Sequence, residues 1–158
     1  MPAAEYASQA TDGAGSILEV GDGASPETFT AIAEVTTITP GAMSTAAIET
    51  THLLSPNAHK EKIPGLRDTG AFGIDGNWLP DNDTQSNDDT PGGLVYLART
   101  RAVRNFRIVL GNSGSPEITW PFRGFIDNFQ PGPLTIGTKK AFKASIMPSK
   151  DTAADLPS

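Results

Sequence analysis

Residues Glu117–Gln130 read EITWPFRGFIDNFQ and residues Leu134–Met147 read LTIGTKKAFKASIM, with only Pro131-Gly132-Pro133 between them. Both runs are rich in aromatic and β-branched residues, and the Pro-Gly-Pro break between them is a turn signal. They are predicted to form a β-hairpin. Trp120 and Phe122 share one face by the two-residue strand period, and Phe125 falls on the other face across Gly124, as in a bulged core strand.

Working back toward the N-terminus, Asn105–Leu110 (NFRIVL) alternates Phe106, Ile108 and Leu110 with Asn105, Arg107 and Val109, and a turn at Gly111–Pro116 joins it to the hairpin. Before it, Thr90 as cap, Pro91 at the first helical position and Leu94, Leu97, Ala98 and Arg101 at helical spacing predict a short helix. Arg99, Arg101 and Arg104 sit near its C-terminal end, where cations complement the helix dipole. Thr69–Leu79 (TGAFGIDGNWL), Ala42–Thr51 (AMSTAAIETT), Phe29–Ile38 and Ser16–Val20 read as further strands. In Phe29–Ile38, the alternation puts Phe29, Ala31, Ala33, Val35 and Thr37 on one face as the core face, with Ile32 and Ile38 on the other. The expected fold is mainly β, a β-sandwich or barrel with one short α-helix on its flank. Residues 16–147 form the expected folded domain, with 1–15 and 148–158 as flexible arms.

Two segments do not fit regular elements. His52–Asp68 (HLLSPNAHKEKIPGLRD) reads as a long irregular loop carrying Leu53, Leu54, Ile63 and Leu66, and loops beyond about 12–15 residues are usually functional or disordered. Apolar side chains on such a loop, with Arg67 beside them, are expected to contact a neighbouring subunit. Pro80–Thr90 (PDNDTQSNDDT) reads as a solvated acidic tip.

The chain has no cysteine, which excludes disulfides, thiolate nucleophiles and cysteine-held metals. Residues 1–90 hold 14 acids against 3 bases, whereas 91–158 hold 4 acids against 9 bases. Such opposition reads either as two solvated surfaces or as complementary contact between copies of the chain. No apolar run reaches the roughly 20 residues that span a bilayer, and no secretory leader is evident, so no membrane contact is expected.

Chemistry is sought in vain. His52 and His59 lack a spacing that would place metal ligands on one face, and no metal, catalytic residue or cofactor is expected. Gly111-Asn112-Ser113-Gly114 misses the nucleophile-elbow pattern by one position, and both histidines precede it. The Asp81-x-Asp83 start of the acidic loop departs from a calcium loop at Gln85, Ser86 and Gly92. Trp78, Trp120, Phe122, Phe125 and Phe129 would suit base stacking, but their strand placement suits a core better.

Four stretches carry a resemblance: Val35-Thr36-Thr37-Ile38-Thr39-Pro40-Gly41, Ile48-Glu49-Thr50-Thr51-His52, Lys62-Ile63-Pro64-Gly65-Leu66-Arg67-Asp68-Thr69-Gly70 and Phe122-Arg123-Gly124-Phe125-Ile126. Across about residues 15–147 the chain resembles the tail tube proteins (major tail proteins) of long-tailed, non-contractile bacteriophages. The resemblance implies a structural, non-enzymatic subunit that closes into six-membered rings and stacks them into a hollow tube. The virion tail would be its place, after assembly in the host cytoplasm, with tape measure, tail tip and tail terminator proteins as partners. DNA would pass through the lumen without specific binding. Glu34 and Glu49 on early strands are candidates for a lumen wall that repels phosphate. The same fold serves contractile-phage and type VI secretion tubes, so a secretion-system or tail-like-particle tube is the alternative. A β-sandwich module binding a carbohydrate or other ligand is the third reading. The chain lacks the extra immunoglobulin-like domain of some family members, and its acidic 80–90 loop has no counterpart in the pattern.

Overall fold

The computed structural model describes residues 13–111 and 118–149. The outer parts of both expected arms, and most of the 111–116 turn, lie outside the described residues. Nine strands, one helix and one 3-10 turn follow in order: β1 (Ile17–Gly21), β2 (Phe29–Ala31), β3 (Val35–Thr39), β4 (Met43–Glu49), the turn Pro56–Ala58, β5 (Lys62–Thr69), β6 (Phe72–Asn77), α1 (Leu94–Thr100), β7 (Arg104–Leu110), β8 (Ile118–Pro131) and β9 (Ala141–Pro148). Seven strands make one antiparallel sheet in the order β2-β1-β7-β8-β9-β6-β3, and β4 and β5 pair separately as a two-stranded arm. β1 and β3 lie far apart in strand order yet approach one another, so the sheet curls on itself.

The alternation read from sequence decides what fills the curl. Phe106 and Ile108 on β7, Phe122 and Ile126 on β8, Phe142, Ala144 and Ile146 on β9, and Phe72 and Ile74 on β6 all turn inward and are buried. Phe72 stacks on Phe122 with ring centroids 4.1 Å apart and meets Trp120 edge-on at 5.5 Å. Phe106 stacks on the other side of Phe122 at 5.6 Å. Leu94 and Leu97 of α1 close the core. Trp78, Trp120 and Phe129 pack against this cluster, which makes the aromatic residues core rather than a stacking platform.

Several expectations need correction. Phe29–Ile38 is two strands, because Ala33 is withdrawn from the ladder and Glu34 takes a left-handed conformation at φ 58°. The Ala33 N–H donates to Thr84 Oγ1 at 3.0 Å, and its carbonyl accepts from Gln85 Nε2 at 2.7 Å. The break mixes the expected faces: Val35 packs on the core as expected, but Ile32 is buried and Ile38 also packs on the core, whereas Ala31 and Thr37 are exposed. In β8 the irregularity lies between Ile126 and Asn128 rather than at Gly124, which faces inward in regular alternation.

The acidic loop is not merely a solvated tip. Asp81, Asp83, Asp88 and Asp89 are exposed, but between them Gln85 is fully buried. Gln85 Oε1 accepts from the Leu79 N–H at 2.8 Å, and Nε2 donates to the carbonyls of Ala33 and Asn77 at 2.7 and 3.0 Å. The same loop caps the helix. Leu94, Val95 and Tyr96 donate their N–H groups to the carbonyls of Thr84, Gln85 and Ser86, satisfying the orphan donors of a helix start without any side-chain cap. Hence α1 begins after Gly93 and not at Pro91. Gly93 has to lack a side chain there, since a Cβ would stand 2.0 Å from the Ser86 carbonyl oxygen.

The sequence charge asymmetry is partly neutralised within one chain, because the topology sets acidic β1 beside basic β7. Arg107 pairs with Glu19 and lies over the Phe29 ring at 4.2 Å. Asn105 bridges Glu27 and Arg123, at 2.8 and 3.0 Å.

Candidate assembly surface

The segment expected to be an irregular loop is half strand. Lys62–Thr69 forms β5 and pairs with β4 in the register Met43↔Thr69, Thr45↔Arg67, Ile48↔Ile63 and Glu49↔Lys62. Pro64 and Gly65 disguise it in the sequence. Pro64 still faces Ala47, and the register shifts between Thr45 and Ala47, so that Gly65 and Leu66 fall in the irregularity directly after it.

All seven residues of β4 are exposed, and so are six of the eight in β5. Leu53 and Leu54 at the tip and Leu66 on β5 are almost wholly in solvent, and Ile48 and Ile63 are half exposed. A two-stranded hairpin is marginal in water by itself. The arm brings together Leu53, Leu54, Ile63, Leu66 and Arg67, but it separates the two glutamates proposed for the lumen. Glu34 precedes β3 at one end of the sheet, where its Oε2 accepts from Asn77 Nδ2 at 2.8 Å. Glu49 ends β4 out on the arm, opposite Lys62.

The arm's tip is held by its own polar groups. The Thr50 N–H donates to the Glu61 carbonyl at 2.8 Å, and the Glu61 N–H to Thr51 Oγ1 at 2.9 Å. Ser55 Oγ donates to Glu61 Oε2 at 2.7 Å and accepts from the His52 N–H at 2.9 Å. His52 Nδ1 accepts from the Leu54 N–H at 3.1 Å, and Nε2 stands 3.4 Å from Glu61 Oε2. Ser, His and Glu therefore meet, but not as a catalytic triad. The Nδ1 of His52 accepts a backbone N–H, and the Ser55 proton goes to the Glu61 carboxylate, so His52 does not face the hydroxyl as a triad histidine would. Among the described residues no cluster of three or more His, Asp or Glu side chains is arranged to hold a metal, and no helix is long and apolar enough to cross a membrane.

A second exposed apolar element escaped the sequence reading. Residues expected to begin the last strand, Leu134 and Ile136, lie in the 132–140 connection and are largely or fully exposed. Pro133, Gly137 at φ 81° and the Lys139-Lys140 pair are the signals of a longer loop that the alternation Leu134-Thr135-Ile136 concealed.

The main sheet thus ends in two outer strands, β2 and β3, each with one partner among the described residues. It also carries an apolar arm in solvent. These features define the class as a β protein with open sheet edges and an exposed apolar arm, surfaces that other proteins manage by covering them. The model of the lambda phage tail tube protein family matches residues 14–146, and the chain belongs to that family. It is a structural subunit of a tail tube.

Solved structures agree in fold. A chain from the structure of an extracellular contractile injection system, PVC sheath/tube terminator in the extended state, superposes with a TM-score of 0.67 at 15% identity, over 94% of this chain and 96% of that one. A chain from the tail of an empty GTA particle with C6 symmetry gives 0.65 at 15% identity, over 94% and 98%. A chain from the structure of the anti-feeding prophage tube-terminating cap gives 0.66 at 13% identity, over 96% and 97%. No curated protein matches the chain in sequence.

Proposed function

We propose that six copies of the chain close into a ring, that rings stack into the hollow tube of a phage tail, and that the β4–β5 arm holds neighbouring subunits together. The arm carries this reading: Leu53, Leu54, Ile63 and Leu66 are exposed on a hairpin too small to bury them, so a second chain has to cover them. A head-to-tail contact that closes gives a ring, and edges β2 and β3 offer backbone groups to a neighbour. The C6 symmetry of the similar GTA tail supports the six-fold count. The protein acts without catalysis or cofactor. Tape measure, tail tip and terminator proteins meet the ends of the tube, and DNA slides through it unbound. Negative-stain microscopy of the purified protein is the test: rings or tubes form without ligand, and a protein that stays monomeric at high concentration would sink the reading.

Glu34 and Glu49 remain our candidates for the lumen wall. Duplex DNA carries one charge per roughly 1.7 Å of axis, so a basic bore would capture it. Particles with both residues changed to lysine assemble but release DNA slowly; release at the normal rate removes these two residues from the wall.

A second reading is favoured by the likeness to injection-system and tail-like-particle chains: a tube that delivers something other than DNA. Particles purified with this tube and treated with nuclease distinguish the two, because only a phage tail is joined to a DNA-filled head.

A further inference from the structure

The turn His52-Leu53-Leu54-Ser55 lifts two leucines almost wholly into solvent, and hydrogen bonds among its own residues give it its shape. The Ser55 N–H donates to the His52 carbonyl at 3.0 Å, the His52 N–H to Ser55 Oγ at 2.9 Å, and the Leu54 N–H to His52 Nδ1 at 3.1 Å. Glu61 holds both ends of the turn: its Oε2 accepts from Ser55 Oγ at 2.7 Å and stands 3.4 Å from His52 Nε2. Just beyond, Asn57 and Ala58 take left-handed φ values of 57° and 56°. Neither is glycine, and residues so placed persist only where surrounding bonds over-determine them. None of residues 50–61 is buried, so a small polar network and not packing keeps this shape.

One of these bonds depends on a proton. A ring nitrogen accepts an N–H only while it carries no hydrogen itself, so the Leu54 bond requires neutral His52 with its proton on Nε2, toward Glu61. Imidazole is the side chain whose charge ordinarily changes between about pH 5 and 8. A proton on Nδ1 turns the acceptor into a donor facing another donor, and the ring has to leave Leu54. Glu61 is the charged group that faces the ring and draws the imidazolium toward itself. Glu49 and Lys62 oppose one another across the ladder, while His59 and Lys60 stand between Ala58 and Glu61, with the His59 N–H given to the Pro56 carbonyl.

We infer that His52 is a pH-responsive clasp: neutral, it fixes the turn that displays Leu53 and Leu54; protonated, it swings to Glu61 and frees Leu54. The clasp lies within a single chain, so it needs no assembled state and stands or falls apart from the tube reading. Amide exchange of the full chain, kept dilute and corrected for the intrinsic effect of pH, tests it. From about pH 8 to about pH 5, protection of the Leu54 amide falls about fivefold, the weight of one hydrogen bond, while the Ile74 amide in β6 keeps its protection. His52→Asn retains an acceptor two residues before Leu54, as in an Asx turn, and does not titrate, so its Leu54 protection is the same at both pH values. His52→Ala is as poorly protected at the higher pH as the parent is at the lower. Equal Leu54 protection of the parent at both pH values overturns the clasp, and so does a fall of the same size in His52→Asn, which would assign the effect to another group.

Discussion

Ile74 lies inside β6 and Ile48 near the end of β4, two strands of similar length, yet Ile74 is 1% exposed and Ile48 49%. β6 alternates buried and half-buried along its whole length, whereas β4 is exposed at every position. The difference lies in their neighbours. β6 is flanked by β9 and β3, and its inner face meets the aromatic stack; β4 has β5 alone. One strand is covered by its own chain and the other is left in solvent. If the arm serves assembly as proposed, substitutions in the two regions fail in different ways.

The sharpest break is Phe72→Ala. It removes a buried ring that stacks on Phe122 and meets Trp120, so a loss of about 3–5 kcal/mol is expected in urea unfolding. A loss under 1 kcal/mol would mean that the stack does not organise the core. Next comes Gln85→Leu, which fits the space but leaves the Leu79 N–H and the Ala33 and Asn77 carbonyls without partners. About 2–3 kcal/mol should be lost, with hydrogen exchange rising first at residues 31–35 and 79–85. Protection unchanged there would remove Gln85 as the fastener of the β2–β3 break.

In the arm the balance reverses. Leu53→Ser with Leu54→Ser should shift monomer stability by no more than about 0.5 kcal/mol, as exposed substitutions do, while tubes disappear from micrographs. Tubes at normal yield would mean that the tip leucines are not covered on assembly. The smallest effect is electrostatic. Asp22 accepts N–H bonds from Ala24 at 2.9 Å and Thr28 at 3.2 Å, which hold its carboxyl below the ordinary 3.8. A depressed folded value means stability present above pH 3.8 and lost as pH falls through the lowered value. Asp22→Asn should therefore be slightly less stable than the parent at pH 6, with the gap closing in acid. An equal gap at pH 6 and pH 2.5 would rule out the charge as its source.

Where a residue's environment is set by its own strand, the sequence was readable. Phe106 and Ile108, and likewise Trp120 and Phe122, were set on common strand faces by a two-residue period, and the structure turns those faces to the core. Leu53, Leu54, Ile63 and Leu66 were legible as exposed apolar residues, because no local pattern could bury them, and the structure leaves them in solvent. Reading failed where a distant group intervened. Glu34 turns left-handed because Thr84 and Gln85, some 50 residues on, take both backbone groups of Ala33.

By itself the sequence determined the β class, the inward aromatic faces and the absence of cysteine chemistry, since these follow from side-chain type and local period. Only the tertiary structure decided that 62–69 is a strand, that the acidic loop fastens β2, β3 and α1, and that the apolar arm and the Leu134–Ile136 loop stand at opposite ends of one sheet. Those outcomes depend on hydrogen bonds and strand order between residues far apart in the chain, and no local window of sequence contains both partners.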